Sequence, residues 1–335
     1  MSYSDVDPRP TMIDLTEEEI RVLEELGREI TASPSEEAED FCRQVKLKSA
    51  RLPLRVKQEL EIYYKRGCSN GFFLVNGLRV DDEELGDTPA GNIYRRGETT
   101  LLSRIQAILV SSCGAEMIAY EAEGYGRLFQ DVVPIQSMSK LQTSVGSTVE
   151  LEIHTEQAFS KIKPDILSLA CLRGDPKANT HIFPVQYILE DMTTEERALL
   201  RQPLWLTKVD LSFKMSDQYE FMDGDIRGPM PIISGPEDDP KLVFDQDLMA
   251  GVTAASDMLL KKIVGVYYKR KLAHNLQPGQ ILLVDNHRAV HGRSPFFPRW
   301  DGKDRFLVRC FAVNDYERTG YARPGHGRVA AAIFS

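Results

Sequence analysis

The sequence has few cysteines, and none are spaced as a metal-binding or disulfide-forming pair. Its five cysteines are scattered and odd in number, and no Cys-x-x-Cys pair occurs. This pattern predicts reduced, mostly buried thiols in a cytoplasmic protein, and it excludes a disulfide framework or a zinc knuckle. The 335 residues also contain no internal repeat and no low-complexity tract, so a repeat architecture is excluded.

Features of membrane proteins and of nucleic-acid-binding proteins are also absent. No apolar run approaches the roughly 18–20 residues of a membrane span. The polar opening MSYSDVDPRPTMIDL predicts no secretory signal. The formal net charge is -9 and no basic run occurs. Because a phosphate-binding surface needs a basic excess, nucleic acid and anionic membranes are excluded as partners, and a small-molecule partner is expected.

The sequence pattern changes near residue 117. Before it, apolar residues recur at helical spacing, and Thr16 with Glu19 forms a capping box at the start of the first helix. Residues 1–13 are expected to form a loose arm, and 14–116 a mainly helical wrapper. Further helices are predicted at 35–48, after 53 and at 100–114, with a strand buried on both faces at 71–78.

After residue 117, short apolar or alternating runs such as VELEIHTE, QILLVDN and RFLVRCFAV are separated by Gly, Pro, Asp and Asn. Such runs are typical of barrels and double-sheet jelly rolls. Helices are expected near 193–201 and 253–273. The Gly-, Pro- and Asp-rich stretch 213–241 predicts a long loop that acts as a lid. The predicted fold class is α+β: a double-stranded β-helix (jelly-roll or cupin-like) core at 117–335, wrapped by helices in one domain.

The motif EIHTEQAF places His154 two residues before Glu156. On an extended strand end, residues i and i+2 project to the same side, so the two side chains can hold one cation. Two histidines and one carboxylate form the facial triad of non-haem Fe(II) oxygenases, which leaves coordination positions open. A ligand set without thiolate suits Fe(II) better than a structural zinc ion.

The third ligand must come from farther along the chain. His274 is expected at a helix end, where a histidine interacts with the helix dipole. His326 shares the sequence His-Gly-Arg with His291 but lies close to the C-terminus. The run QILLVDNHRAVHGRSPF predicts a buried strand followed by a turn, which disfavours a helix-borne histidine pair. His287 and His291 both remain candidates on this reasoning.

Together these motifs resemble the clavaminate synthase-like Fe(II)/2-oxoglutarate oxygenases, a family that includes hydroxylases of free asparagine, arginine and lysine. The likeness runs from about residue 117 to the C-terminus and rests on EIHTEQAF, LSLACLRGDPKANT and LLVDNHRAVHGRSPFFPRWDGKDRFLVRCF. The details YEAEGYGRLFQDVVP, SLACLRGDP and VFDQDLM are most similar to the bacterial L-lysine 3-hydroxylases of that family. The resemblance implies a jelly-roll dioxygenase.

The resemblance also implies roles for particular residues. The Fe(II) ligands would be His154, Glu156 and His291, and His287 would at most support the strand end that presents His291. Arg305 follows His291 at the family spacing and would pair with the distal carboxylate of 2-oxoglutarate. A permanently charged, fork-shaped guanidinium suits a buried carboxylate.

Further residues match positions that contact the co-substrate or the substrate. Thr180 would help to hold 2-oxoglutarate, and Arg309 would reach the carboxylate of the substrate or co-substrate. Acids are needed for a cationic amino acid, because an unpaired buried charge costs about 3–5 kcal/mol. Gly146 stands where asparagine hydroxylases carry asparagine, which weighs against asparagine as the substrate. The substrate-binding candidates are Glu123, Asp210, Ser212, Asp245 and Asp247, together with Arg309.

The implied reaction is hydroxylation of an unactivated carbon of a free basic L-amino acid, foremost L-lysine at C3. O2 and 2-oxoglutarate would be consumed, and succinate and CO2 released. L-Arginine and L-ornithine are alternative substrates. A non-catalytic jelly-roll protein that binds metal or a small ligand, and a zinc hydrolase with the same triad, are alternatives of other classes. The N-terminal helices could supply a homo-oligomer interface.

Overall fold

The computed structural model describes residues 12–66, 70–210, 225–325 and 327–334. Its α-helices are α1 (Glu17–Arg28), α2 (Ala38–Ser49), α3 (Leu54–Arg66), α4 (Asp82–Leu85), α5 (Leu101–Val110), α6 (Val185–Asp191), α7 (Thr194–Leu200) and α8 (Ala254–Arg270). Its β-strands are β1 (Met12–Asp14), β2 (Phe72–Asn76), β3 (Glu116–Tyr120), β4 (Phe129–Val132), β5 (Leu151–His154), β6 (Ile166–Arg173), β7 (Asn179–Pro184), β8 (Trp205–Lys208), β9 (Ile226–Met230), β10 (Ile233–Ser234), β11 (Lys241–Leu242), β12 (Met249–Gly251), β13 (Leu272–Asn275), β14 (Ile281–Asp285), β15 (Ala289–Arg293), β16 (Phe306–Val313) and β17 (Val329–Ala330). Helices dominate the first third of these parts and strands the remainder, as the sequence pattern predicts.

The first helix begins at the predicted capping box. The Thr16 hydroxyl accepts a hydrogen bond from the Glu19 amide at 3.2 Å, and the Glu19 carboxylate accepts one from the Thr16 amide at 2.8 Å. Leu23 and Leu26 on the apolar side of α1 are buried, and burying each such side chain stabilises the fold by about 1.5–3 kcal/mol. Gly27 allows α5 to approach closely, since a Cβ there would lie 2.8 Å from the Leu101 side chain.

The large sheet has eight strands. Seven of them follow the order β1-β2-β14-β6-β16-β3-β17, and the eighth, β4, also pairs with β16. Successive side chains of a strand point to opposite faces. In β14, Ile281 and Leu283 pack against the N-terminal helices, whereas Leu282 and Val284 pack on the other face. Helices α1, α2, α3 and α5 cover the outer face of the large sheet. The apolar side chains of β14 are therefore buried on both faces of that sheet.

The second sheet has four strands in the order β13-β7-β15-β5. Ile182 of β7 and Ala289 of β15 pack with Leu282 against the inner face of the large sheet. On the other face of the second sheet, Phe183 and Val290 pack with residues of α6 and α8. The two sheets therefore lie face to face between two groups of helices. None of the helices in the described ranges combines the length and the apolarity needed to cross a membrane.

Two predicted loops contain strands. Residues 12 and 13, assigned to a loose arm, form β1 and pair in parallel with β2, because Ile13 is buried against the helices. Within the predicted lid at 213–241, β9 pairs with β8 and β10 pairs with β11. These strands were not predicted because the abundance of Gly and Pro in that stretch indicated a loop. Residues 213–224 lie outside the described parts of the chain.

The prediction for His274 is wrong. The helix predicted at 253–273 is α8, which ends at Arg270, and His274 lies in β13 of the second sheet. Its Nε2 lies 2.8 Å from Oε1 of Gln280, so the side chain bonds to a neighbouring turn and not to a helix end. Helix α6 was not predicted, whereas α7 lies where a helix was expected. His326 is outside the described residues.

Candidate active site

Two neighbouring strands bring the predicted metal ligands together. β5 and β15 are antiparallel, and His154 and His291 are direct partners in their register. Their ring centroids are 4.5 Å apart, and His291 Nε2 lies 3.5 Å from a Glu156 carboxylate oxygen. One ligand atom from each of the three residues lies within 4.8 Å of the others. His287 is elsewhere, with its Nε2 2.5 Å from Asp165 Oδ1.

Both histidines of this cluster can act as neutral ligands. His154 Nδ1 lies 2.8 Å from the carbonyl oxygen of Glu152. Because a carbonyl only accepts, Nδ1 donates this hydrogen bond, and in the neutral ring the lone pair is then on Nε2. Burial lowers the pKa of His291 to about 4, and its buried Nδ1 has no hydrogen-bond partner among the residues that the structure describes. Neutral imidazole is the form that binds a metal ion.

Glu156 supplies the negative charge. Burial alone would raise its pKa, but the positive charge of Arg309 and the hydrogen bond from His291 outweigh burial, and the pKa falls well below its usual value. Arg309 Nη1 lies 3.3 Å from Glu156 Oε1. Two neutral imidazoles and one carboxylate, without a thiolate, fit a divalent first-row metal ion such as Fe(II).

A segment after β11 brings a further acid beside the cluster. Asp245 forms a backbone bridge with His154, supported by hydrogen bonds from Thr155 N to Phe244 O (2.7 Å) and from Gln246 N to Ile153 O (3.0 Å). Burial raises the pKa of Asp245 to about 6. The acid predicted to bind the substrate thus lies directly next to the metal-ligand cluster.

An arginine and a hydroxyl that form no hydrogen bond with the described residues face the same cavity. Arg305, just before β16, is only 6% exposed, and burial lowers the pKa of its guanidinium to about 10. No carboxylate of the described residues forms an ion pair with it. The buried hydroxyl of Thr180, on β7, likewise has no hydrogen-bond partner in the described parts of the chain. Unsatisfied buried donors of this kind are complementary to the carboxylate of a ligand.

Arg309 is already engaged by protein groups. On β16, it donates to the carboxylate of Glu123 and, at 2.5 Å, to Gln130 Oε1, in addition to its contact with Glu156. Gln157 Nε2 donates to the other oxygen of Glu123 at 2.7 Å. Burial raises the pKa of Glu123, and the charge of Arg309 opposes this rise. Arg309 therefore links the metal-ligand cluster to a predicted substrate-binding acid.

The structure brings together every predicted site residue that it describes. Ser212 lies outside the described parts of the chain. The others line one cavity: His154, Glu156, His291, Arg305, Thr180, Arg309, Glu123, Asp210, Asp245 and Asp247.

Sequence reasoning missed several residues of this cavity. Gln157 directly follows Glu156 and adopts a left-handed backbone conformation with φ 54°, which no sequence signal indicated. Arg293 belongs to the quoted HGR motif but was given no role. Its buried guanidinium donates to the carbonyl oxygens of Gly146 at 2.6 Å and Val149 at 3.1 Å. It thereby fixes the segment that forms one wall of the cavity.

Comparison with known proteins places this fold and site in a family. Residues 114–311 match the taurine catabolism dioxygenase TauD, TfdA family. The chain is 48% identical over 321 residues to the L-lysine 3-hydroxylase of Catenulispora acidiphila, covering 96% of this chain and 89% of that protein. It is 30% identical over 306 residues to clavaminate synthase 2 of Streptomyces clavuligerus, covering 90% and 92%.

A solved structure agrees with these relatives. Asparagine oxygenase in complex with Fe(II), (2S,3S)-3-hydroxyasparagine and succinate superposes with a TM-score of 0.87 at 28% identity, over 96% of this chain and 99% of that one. The chain belongs to the TauD/TfdA dioxygenase family and is an enzyme. The predicted resemblance to clavaminate synthase-like oxygenases, with lysine 3-hydroxylases among its relatives, is confirmed.

Proposed function

We propose that this protein is an Fe(II)- and 2-oxoglutarate-dependent dioxygenase that hydroxylates free L-lysine at C3. The chemistry rests on one observation: the His154, Glu156 and His291 cluster shares a cavity with the guanidinium of Arg305, which forms no ion pair with any described carboxylate. The substrate and the carbon rest on the 48% identity to an L-lysine 3-hydroxylase.

The proposal also covers the domain organisation of the chain and the cellular compartment in which it works. The two facing sheets would form the double-stranded β-helix of a single oxygenase domain, with the N-terminal helices as its outer cover. A reducing, cytoplasmic setting is supported by the cysteines of the described residues, all of which are free thiols: Cys42, Cys113, Cys171 and Cys310.

His154, Glu156 and His291 would hold Fe(II), and Arg305 with Thr180 would hold the distal carboxylate of 2-oxoglutarate. Bound Fe(II), together with 2-oxoglutarate and O2, supplies the oxidising power that an unactivated C–H bond requires. The succinate in the asparagine oxygenase complex supports this choice of co-substrate, because it is what 2-oxoglutarate becomes when it is oxidatively decarboxylated. A zinc hydrolase does not bind 2-oxoglutarate, so it would not need an arginine such as Arg305 to hold the distal carboxylate of that co-substrate.

The protein's own contribution is to orient the amino acid. Arg309 would pair with the substrate carboxylate and Glu123 with its α-ammonium group. Asp245, Asp247 and Asp210 are the cavity-lining acids that would face the ε-ammonium group. Each buried charge of lysine needs such a partner, and fixing both ends of the molecule determines which carbon faces the metal ligands.

The loop that contains Gly146, beside the cavity, also weighs against asparagine as the substrate. A Cβ at Gly146 would lie 2.3 Å from the carbonyl oxygen of Leu141. The asparagine that asparagine hydroxylases carry at this position therefore does not fit without a shift of the loop. Arginine and ornithine remain alternative substrates, because the same acids would also accept a guanidinium or a shorter amine.

The proposal is tested by substrate-dependent turnover. The protein is incubated with Fe(II), 2-oxoglutarate and O2, with lysine, arginine, ornithine or asparagine added singly. Succinate and a product heavier by one oxygen atom are measured. Lysine is expected to give the highest rate and asparagine none. The proposal fails if no basic amino acid stimulates succinate formation.

A further inference from the structure

Glu156 does not lie within a strand, and its backbone is held by a side chain. β5 ends at His154, and the chain turns at Gln157, whose φ is 54°. The amide N–H of Glu156 donates to Asn286 Oδ1 at 2.8 Å, and the Glu156 carbonyl accepts from Asn286 Nδ2 at 3.0 Å. One side chain thus replaces the paired hydrogen bonds that a neighbouring strand would supply.

Only an amide side chain can satisfy this arrangement. Asn286 is fully buried, and the second hydrogen of its Nδ2 is donated to Pro164 O at 2.8 Å. The amide supplies one acceptor and two donors, which match one N–H and two carbonyl groups. An aspartate of the same shape would place a second acceptor against two carbonyl oxygens.

Asn286 is itself firmly anchored. Its backbone N–H donates to Asp165 O at 3.0 Å. The Asp165 carboxylate contacts His287 Nε2 at 2.5 Å and accepts from Asn314 N at 2.7 Å and from Arg318 at 3.0 Å. A rigid side chain on the β14–β15 turn therefore holds the segment that carries Glu156.

We propose that Asn286 is a positioning residue of the metal site, which fixes the Glu156 carboxylate by clamping the Glu156 backbone. The inference rests on the proposed function, since it takes Glu156 as a metal ligand. Groups that orient metal ligands without touching the metal affect metal affinity by about 10- to 100-fold.

The test is the binding of Co(II), an oxygen-stable probe for the Fe(II) site, to the full chain. Asn286→Asp keeps the size of the side chain and its acceptor, but loses both donors. We expect its Co(II) dissociation constant to rise by about 10- to 100-fold, with the number of sites per chain unchanged. In turnover assays, more succinate should be released per hydroxylated product, because a displaced carboxylate uncouples the two half-reactions.

Asn275→Asp is the matched control. Asn275 Nδ2 also donates to two backbone carbonyls, those of Asp175 at 2.7 Å and Ala178 at 3.3 Å, but none of these residues lines the cavity. This variant should bind Co(II) like the unmodified protein. Asn286→Ser removes the same two donated bonds without a new charge, and it should reproduce the loss of affinity.

Two results would overturn the inference. One is Co(II) affinity in both Asn286 variants equal to that of Asn275→Asp. The other is fewer sites per chain with unchanged affinity, which would mean that Asn286 serves folding alone. Failure of the proposed function looks different: Glu156→Ala would then bind Co(II) as tightly as the unmodified protein, and there would be no metal site for Asn286 to position.

Discussion

At the scale of the residue, His287 and His291 can be told apart by substitution. His291→Ala should abolish both Co(II) binding and turnover, because it removes one of the three ligand atoms. His287→Ala should retain Co(II) binding and instead lower the free energy of unfolding by about 1–3 kcal/mol, since the buried Asp165 loses a hydrogen-bonding partner. Metal titration and denaturant unfolding of both variants measure this, and the reverse pattern would reject the assignment.

Arg305 gives a second prediction at this scale. Arg305→Gln should raise the KM for 2-oxoglutarate by about 10- to 100-fold, because a charge-assisted hydrogen bond of about 1.5–3 kcal/mol is lost. The KM for lysine should change little. Arg299→Gln, at an exposed arginine nearby in the sequence, is the control. Steady-state kinetics with each substrate varied in turn measures the effect, and an unchanged KM for 2-oxoglutarate would contradict it.

The helix α1 provides a prediction at the scale of the element. Thr16→Ala removes the side-chain acceptor of the capping box and should lower the free energy of unfolding by about 1 kcal/mol. Thr16→Ser keeps the acceptor and should restore most of that stability. Because α1 lies on the outer face of the large sheet, kcat should not change in either variant. Chemical denaturation is the measurement. Equal stability of the two variants would show that the Thr16 hydroxyl does not stabilise α1.

The junction between β7 and α8 predicts a pH dependence. Burial is the main cause that lowers the pKa of His181 from 6.5 to about 4; Lys271 adds to this and Glu150 opposes it. Below pH 6.5 the unfolded chain binds a proton that the folded protein excludes. Stability due to this residue is therefore complete above pH 6.5 and is lost as the pH falls towards 4, by at most about 3 kcal/mol in total.

The variant His181→Gln isolates this contribution. Glutamine can still hydrogen-bond to the Tyr267 hydroxyl, which lies 2.8 Å from His181 Nδ1, but it does not titrate. Unfolding free energies measured between pH 7 and 4 should fall less steeply for this variant. Parallel curves for the variant and the unmodified protein would show that His181 does not contribute.

Elements are also where the limits of sequence reasoning are clearest. Helix α1 was predictable because its cap and its apolar spacing are both local in sequence. The pairing of His154 with His291 was not, since β5 and β15 are far apart in the chain. Local spacing left His287 and His291 equivalent, and only the family likeness separated them. Asn286 was overlooked because its role depends on a backbone that approaches from a distant strand.

At the scale of the whole molecule, metal binding and stability should be coupled. A ligand that binds only the folded state at 100 times its dissociation constant stabilises that state by about 2.7 kcal/mol. Co(II) should therefore raise the thermal unfolding midpoint, and a chelator should reverse the shift. His154→Ala should show no response to either. Calorimetry measures the effect, and an equal shift in the variant would place the metal elsewhere.

The central claim concerns the carbon that is oxidised. Lysine incubated with the protein, Fe(II), 2-oxoglutarate and O2 can be isolated and its new carbinol position read by NMR. The proposed pairing of Arg309 and Glu123 with the carboxylate and α-ammonium groups of lysine, together with the lysine 3-hydroxylase relative, predicts a carbinol proton coupled to the α-proton. A carbinol proton with no coupling to the α-proton, or lysine recovered unchanged, would contradict it.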